Sequence, residues 1–342
     1  MLINLLITSL SLYLITFLLL KVFIKNANIF NLIDIPNARS AHKTPVARGA
    51  GIVFGFVFLI VSFLLNYFST ENTTYNYVLV SLVIVFLTGL YDDLKNISSK
   101  AKFFFIILAT IFAFFDGISI NSLGNYFGYE LHLGYLALPF TIFAVVGFTN
   151  ALNLTDGLDG LAGSISVIML LGLLYIGLQQ GDCTLIYLPI FLISLLLSFL
   201  WFNWHPAKVF MGDSGSLFLG FVIALLSIYA LKYINPSSIL FLAAIPILDT
   251  LMVMKRRRQR GQSLFIADKN HLHHILLGFK KDKQFTVYTL IKLQVLFTLI
   301  FVQVYDKSGF INLVLFALLF LIFFNLFDPR MAYRKKEKKK KV

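Results

Sequence analysis

The stretch TLIYLPIFLISLLLSFLWF (residues 184–202), followed directly by NWHPAKVFMGDSGS (residues 203–216), decides the class of protein. The first part has no charged side chain and is close to the roughly 20 residues that a helix needs to cross a bilayer core. The second part is polar and glycine-rich, with residue types that bind anions and metal ions. Together they predict a membrane-spanning helix whose end carries chemistry.

The composition extends this prediction to the whole chain of 342 residues. Hydrophobic residues make up 58% and charged residues 13%, against about 25% charged in globular domains, and the mean hydropathy is +0.84. A soluble enzyme and a disordered protein are excluded, and the single cysteine excludes a disulfide-stapled domain. The predicted fold class is all-α: a polytopic integral membrane protein.

Eleven apolar runs are candidate spans, which predicts ten or eleven transmembrane helices in one domain covering residues 1–342. The first run lacks a basic n-region and a cleavage site, so it is predicted to be a retained span. The runs lie near residues 2–22, 49–68, 76–91, 103–120, 134–151, 163–178, 184–202, 216–233, 237–254, 285–304 and 310–327.

Lysine and arginine predict the orientation, because cytoplasmic loops hold their excess. Alternate loops and the basic tail 328–342 contain 25 of the 29 Lys and Arg residues. This places the N-terminus outside, the tail in the cytoplasm and the chain in the plasma or inner membrane. The net charge of +13 is therefore a topology signal, and no nucleic-acid partner is expected. Contact of the tail with anionic membrane lipid is a second interpretation.

Acidic residues cluster at the predicted cytoplasmic helix ends. Asp92 and Asp93 form either a solvated helix end or a metal or general-base site. Asn153, Asp156 and Asp159 are spaced by three, which puts oxygen ligands on one side of a helical turn; two successive Asp-Gly turns are the alternative.

Two further segments suit anions. Gly212–Ser216 predicts a helix start that favours phosphate, with Mg²⁺ bridging Asp213 to it, although plain capping is the alternative. The segment 39–51 combines Lys43 and Arg48 with glycines and has the same character.

Three histidines, His271, His273 and His274, lie in the most basic loop. Metal ligation, phosphate contact and a solvated cluster all remain open for them. Asp249, just inside the predicted span, is either a functional group or a partner in helix packing. This inventory favours Mg²⁺-dependent chemistry between a soluble phosphate-bearing substrate and a membrane lipid.

The motifs resemble those of the polyprenyl-phosphate N-acetylhexosamine-1-phosphate transferases of glycosyltransferase family 4, with WecA- and TagO-like and related MraY-like members. They occur in the family's order across about residues 34–276. The matching pieces are DIPNAR at 34–39 with His42 and Pro45, Asp92-Asp93, NALNLTDGLDG at 150–160, PAKVFMGDSGS at 206–216 and HLHH at 271–274.

The resemblance implies transfer of N-acetylhexosamine-1-phosphate, GlcNAc-1-phosphate being favoured, from a UDP-sugar to undecaprenyl phosphate, which releases UMP and initiates a cell-envelope glycan such as O-antigen, teichoic acid or capsule. The implied cofactor is Mg²⁺, with Mn²⁺ as a substitute. A homodimer remains open.

The same resemblance assigns roles to residues. Asp213 and Asn153 would hold the metal, Asp92 and Asp93 would deprotonate or position the lipid phosphate, and Asp156 and Asp159 match nucleotide-associated positions. The substrate-binding set comprises Lys43, Arg48, Lys102, Asn203, Phe210, His271, His273 and His274. Leu272 argues against an MraY-like muramyl-pentapeptide donor.

Two rivals belong to other classes. A lipid-phosphate or sugar-phosphate transporter predicts polar residues near the bilayer midplane and inverted repeats, and the sequence indicates neither. A lipid-binding scaffold without activity predicts loss of the acidic motif residues, all of which are present.

Overall fold

The computed structural model describes residues 2–36, 44–68, 75–261 and 271–327, with Leu2 as backbone only. The predictions made for Lys43 and for the basic tail lie outside the described residues. The helices are α1 (Leu2–Asn26), α2 (Gly51–Tyr67), α3 (Asn76–Lys95), α4 (Ser99–Phe115), α5 (Ala137–Thr155), α6 (Leu161–Gln180), α7 (Cys183–Asn203), α8 (Asp213–Tyr229), α9 (Ile239–Leu242), α10 (Ala244–Gln259), α11 (Leu272–Lys280), α12 (Lys283–Val304) and α13 (Gly309–Leu326).

The helices confirm an all-α multi-pass membrane protein. Within the described ranges, eight helical segments are long and apolar enough to cross a membrane, and the bent pair α9–α10 makes up to nine. Each of the eleven predicted runs coincides with helical structure, but α2 and α4 are only 17 residues long. The short helices and the bend explain why fewer segments qualify as full spans than the runs predicted.

Helix α8 is the centre of the bundle. Every residue from Ser214 to Tyr229 is buried, as expected for a helix that is apolar all round. Close approach of neighbouring helices needs glycine: a β-carbon on Gly51 of α2 would lie 2.0 Å from the Gly215 nitrogen, and one on Gly89 of α3 would lie 2.6 Å from the Asp213 carbonyl oxygen. The beginning of α8 is therefore held against α2 and α3.

The ninth apolar run forms two helices with a bend between them, and a buried glutamine binds the backbone groups at the bend. Helices α9 and α10 meet at an angle of 89° around Ala243. Gln294 of α12 donates from Nε2 to the Leu242 carbonyl oxygen at 2.7 Å and accepts from the Ile245 N–H at 3.2 Å. Backbone groups freed inside a membrane must find such partners. Gln294 is thus a polar residue near the middle of a span, where the sequence was predicted to have none.

Two small sheets accompany the helices and were absent from the all-α prediction. Strands β1 (Ile33–Asp34), β2 (Val46–Arg48) and β5 (Val209–Phe210) form one sheet, in which β2 is antiparallel to β1 and parallel to β5. Strands β3 (Ser122–Tyr126) and β4 (Tyr129–His132) form a hairpin between α4 and α5. The first sheet ties the segment that precedes α2 to the segment that precedes α8.

Candidate active site

The site begins where α3 ends against the N-terminus of α8. Asp93 Oδ1 accepts the Asp213 N–H at 2.9 Å and Asp93 Oδ2 accepts the Ser214 N–H at 3.0 Å. These are two of the donors that a helix N-terminus leaves free. The sequence predicted a helix start here with local Ser or Asp capping. The start is confirmed, but the cap comes from another helix because Gly212 holds the N-cap position.

Asp92, the neighbour of Asp93, faces a lysine instead. Lys102 of α4 contacts Asp213 Oδ2 and lies 2.8 Å from Asp92 Oδ2. The other oxygen of Asp92 accepts the Ile97 N–H at 2.9 Å. The ammonium group therefore bridges two carboxylates from α3 and α8. This is a position at which positive charge is stabilised.

Asn153 joins the same cluster from the end of α5. Its Nδ2 donates to Ser216 Oγ at 2.7 Å and to Asp213 Oδ1 at 3.3 Å. Asn153 and Asp213, predicted together as metal-holding residues, are thus brought into contact. Helix α5 ends at Thr155, so the predicted helical turn does not continue through Asp159.

Arg48 adds a second cation from β2. Its Nε and Nη2 atoms lie 3.1 and 3.0 Å from Asp93 Oδ1. Burial opposes the charge on the guanidinium, but the charge of Asp93, with those of Asp213 and Asp92 further off, raises the pKa of Arg48 above its ordinary value. Arg48 is therefore a permanent cation beside the acidic cluster.

Asp156 follows α5 and is the acid of this region that retains a proton most readily. Burial raises its pKa to about 7, and the negative charges of Asp213 and Asp93 act in the same direction. Nearby carboxylates disfavour another negative charge in this way. Asp156 is thus close to half-protonated near neutral pH, and any cation that enters the cluster favours its ionised form.

Asp159 and Asn203 are used in contacts with the protein itself. Asp159 Oδ2 lies 2.7 Å from His205 Nδ1. Asn203 is buried, accepts the Gly160 N–H at 2.9 Å and donates to the Val209 carbonyl oxygen at 2.8 Å. The structure thus shows Asn203 joining the loop after α5 to β5. Its contact with a nucleotide stays a prediction.

The three histidines have different environments. His271 and His273 are buried, whereas His274 is exposed. His271 Nδ1 lies 2.8 Å from Asp249 Oδ2, and Asp249 Oδ1 accepts the Leu272 N–H at 2.6 Å. Asp249 therefore anchors the beginning of α11 and the histidine that precedes it.

His273 lies against the loop after α5 and is neutral at physiological pH. A β-carbon on Gly157 would come within 2.5 Å of His273 Nε2. Burial and the charge of His274 lower the pKa of His273 to about 4. Any hydrogen bond that it gives to a phosphate therefore comes from a neutral imidazole.

Phe210 belongs to β5, next to the acidic cluster. Its carbonyl oxygen accepts the Gly49 and Ala50 N–H groups, both at 3.1 Å. In the sheet register, Phe210 pairs with Arg48. The backbone of Phe210 thus fixes the start of α2, and stacking of its ring on uracil stays a prediction.

The oxygen-rich cluster fits Mg²⁺ in its donor chemistry. Magnesium is commonly held by one or two carboxylates together with substrate phosphates. Asp213 supplies a carboxylate, and the side-chain amide of Asn153 contacts it through Nδ2. No group of three His, Cys, Asp or Glu side chains able to hold a metal occurs in the described ranges. Asp213 and Asn153 would therefore hold Mg²⁺ only together with substrate phosphates.

The opposite end of the bundle carries a separate polar network. Asp182 caps α7 at the end remote from Asn203, and its Oδ2 accepts from the Tyr229 and Tyr233 hydroxyls at 3.0 and 2.9 Å. Its contacts join α7 to α8, and Lys232 Nζ lies 3.7 Å from the centroid of the Tyr229 ring.

Several contributors to the site were not selected as site residues from the sequence. They are Ser216, which binds Asn153, Trp204, which packs on Gly160, and His205, which binds Asp159. His205 and Trp204 lie inside the quoted 203–216 stretch, so their position beside a predicted site was the available signal.

Comparison with known proteins now identifies the class. The family model described as glycosyl transferase family 4 matches residues 75–231, which contain Asp92, Asp93, Asn153 and Asp213. The chain belongs to this family.

Relatives at similar identity carry two different names. A protein of Bacillus subtilis (strain 168) named "probable undecaprenyl-phosphate N-acetylglucosaminyl 1-phosphate transferase" is 33% identical, covering 91% of this chain and 87% of its own. The undecaprenyl-phosphate alpha-N-acetylglucosaminyl 1-phosphate transferase of Yersinia pestis is 32% identical, covering 76% and 73%. The phospho-N-acetylmuramoyl-pentapeptide-transferase of Kosmotoga olearia is 34% identical, covering 71% and 78%. The identities therefore do not separate the two sugars.

Proposed function

We propose that this protein transfers GlcNAc-1-phosphate from UDP-GlcNAc to undecaprenyl phosphate, with release of UMP. The observation that carries the proposal is the meeting of Asp92, Asn153 and Asp213 with Lys102 and Arg48 at one end of the bundle. Alternating carboxylate and cationic groups suit a reaction between two phosphate anions, because both substrates must be bound despite their mutual repulsion. The relatives' names supply the acceptor and the favoured sugar.

In the net reaction, a bond forms between an oxygen of the lipid phosphate and the sugar-bearing phosphorus of the donor. The bond from that phosphorus to the bridging oxygen breaks, and UMP carries this oxygen away. Mg²⁺ at Asp213 and Asn153 would neutralise the pyrophosphate charge. One pyrophosphate link replaces another, so the exchange is close to balanced.

Residues of the protein itself orient the substrates and compensate the charge of their phosphates. Lys102 neutralises Asp92 and Asp213 and can offer its ammonium to a phosphate oxygen. Arg48 supplies a guanidinium, which suits phosphate recognition. Asp93 keeps the N-terminus of α8 in place, so the Asp213 side chain enters the site from a fixed backbone. Asp92 is the acid of the pair that remains beside the reacting groups.

We place the site on the cytoplasmic face of the plasma or inner membrane. The support is the concentration of Lys and Arg in the loops at that end. Both the soluble nucleotide sugar and the membrane-embedded lipid phosphate can reach helix ends at the bilayer surface.

The transporter alternative finds less support in the structure. Gln294, a polar residue near the middle of α12, has both ends of its amide bound to the backbone of the broken helix. The ionic cluster lies at the helix ends and not at the midplane. A group that is used to close a backbone gap is not available to carry cargo.

Radiolabel transfer tests the function. Purified protein in nanodiscs is incubated with UDP-[¹⁴C]GlcNAc and undecaprenyl phosphate, with Mg²⁺ or with EDTA. We expect labelled organic-extractable lipid and UMP with Mg²⁺ only, loss of both in Asp213→Asn, and normal turnover in the matched exposed control Asp306→Asn. Product from a UDP-muramyl-pentapeptide but not from UDP-GlcNAc would keep the reaction and replace GlcNAc as the transferred sugar. Absence of product with every donor would refute the proposed transferase activity.

A further inference from the structure

Three consecutive residues, Asn203, Trp204 and His205, form what we call the 203–205 clamp. Each contacts the pair Asp159–Gly160 in a different way. Asn203 Oδ1 accepts the Gly160 N–H at 2.9 Å, and His205 Nδ1 lies 2.7 Å from Asp159 Oδ2. Trp204 packs on Gly160 so closely that a β-carbon there would lie 2.9 Å from Cε3 of the indole. The clamp thus restrains the main chain and the side chain of this pair.

The contacts leave the two oxygens of Asp159 unequal. Oδ2 accepts from His205 Nδ1–H and also from the Ala207 N–H at 3.3 Å. The contacts of Asp159 among the described residues all go to Oδ2. With its side chain 18% exposed, Asp159 is restrained by one oxygen and can accept hydrogen bonds from a ligand with the other.

An opening lies beside this carboxylate. It is lined by Asp159, Trp204 and His205 together with Lys283, Gln284, Val287 and Tyr288 of α12. The Trp204 and Tyr288 rings form one wall, with centroids 5.8 Å apart. Aromatic surfaces beside a hydrogen-bond acceptor suit a flat heterocycle or a sugar ring.

We propose that His205 is a positioning residue, which turns one oxygen of Asp159 toward the nucleotide part of the donor. The inference rests on the proposed function, because the donor is taken from it. A carboxylate without this restraint could rotate and present either oxygen. Loss of the restraint should therefore weaken donor binding more than it slows the chemical step.

Two polar variants of similar size provide the test. In His205→Asn, the amide nitrogen can take the place of Nδ1 and keep the hydrogen bond to Asp159. In His205→Gln, the amide lies one bond further out, near the position of Nε2, and the hydrogen bond is lost. The matched control is His132→Ala, an exposed histidine on the β3–β4 hairpin.

KM for UDP-GlcNAc and kcat are measured with the full chain in nanodiscs, and the Kd of UMP is measured by calorimetry. We expect His205→Gln to raise both KM and Kd roughly tenfold, as for loss of a hydrogen bond to a charged group. We expect His205→Asn and His132→Ala to stay within about twofold of the unmodified protein, and kcat to change little in all three.

Equal KM and Kd values for His205→Asn and His205→Gln would overturn the proposal, and so would a fall in kcat at unchanged KM. A lower melting temperature with unchanged Kd would show a purely structural role and would also overturn it. If the unmodified protein transfers no sugar, the proposed function fails, while the Kd of UMP for the two variants still decides the role of His205.

Discussion

Asp93 caps the helix that Asp213 begins: its Oδ1 accepts the Asp213 N–H at 2.9 Å. Two acids that are 120 residues apart in sequence are thus joined through the backbone of one and the side chain of the other. The contact assigns different tasks to an adjacent pair, because Asp92 binds Lys102 and Asp93 binds a helix terminus and Arg48.

This division predicts different consequences for two equivalent substitutions. In Asp93→Asn, the amide oxygen can accept only one of the two backbone N–H groups, the N–H₂ faces the other, and the ion pair with Arg48 is lost. Unfolding should therefore become easier by about 2 kcal/mol. Asp92→Asn keeps an acceptor for Ile97 and should cost about half of that, while both variants lose transfer activity. Thermal unfolding in detergent measures the difference, and an Asp92→Asn protein as unstable as Asp93→Asn would contradict it.

The bridging position of Lys102 predicts a large effect of charge removal. Lys102→Gln leaves Asp92 and Asp213 without a shared cation, so the transfer rate should fall roughly 100-fold. Stabilisation by added Mg²⁺ should increase, because the acidic cluster then lacks its own compensation. Lys100→Gln, an exposed lysine on the same helix, is the control. A fall of less than threefold in the transfer rate of Lys102→Gln would show that Lys102 has no direct role in the reaction.

The raised pKa of Asp156 predicts the pH dependence of stability in Mg²⁺-free protein. Between the ordinary value of 3.8 and about 7, the unfolded chain releases this proton while the folded chain retains it. The free energy of unfolding should therefore fall as pH rises through this window, by up to ~1.4 kcal/mol per pH unit. Asp156→Asn should remove this component. Melting temperatures are measured from pH 4.5 to 8. The same dependence on pH in both proteins would refute the prediction.

The contacts of Gln294 predict that the stability of the bundle depends strongly on this one side-chain amide. Gln294→Leu leaves the Leu242 carbonyl oxygen and the Ile245 N–H without partners inside the membrane, which should cost about 3 kcal/mol. Gln303→Leu, at an exposed position on the same helix, should be close to neutral. The comparison is made by melting temperature in one detergent, and equal values for the two variants would show that the break needs no side-chain partner.

The sequence by itself determined the class of protein and most of the residues that meet at the site. Hydrophobic runs mark membrane helices because crossing a bilayer is a property of each segment alone. Asp92 and Asp93 were selected at a helix end because charge at a membrane edge is costly. Asn153 was selected from the spacing of oxygen ligands and Asp213 from a predicted helix start. The family match at residues 75–231 covers these four residues.

Only the tertiary structure decided how the tasks are divided. Which of Asp92 and Asp93 caps a helix depends on the angle at which α3 meets α8. The pairing of Asp159 with His205 depends on two loops that separate helices bring together. Gln294 became visible as a backbone partner only once the bend at Ala243 was known. Hydropathy and motif spacing are local along the chain, whereas these contacts are set by the packing of distant segments.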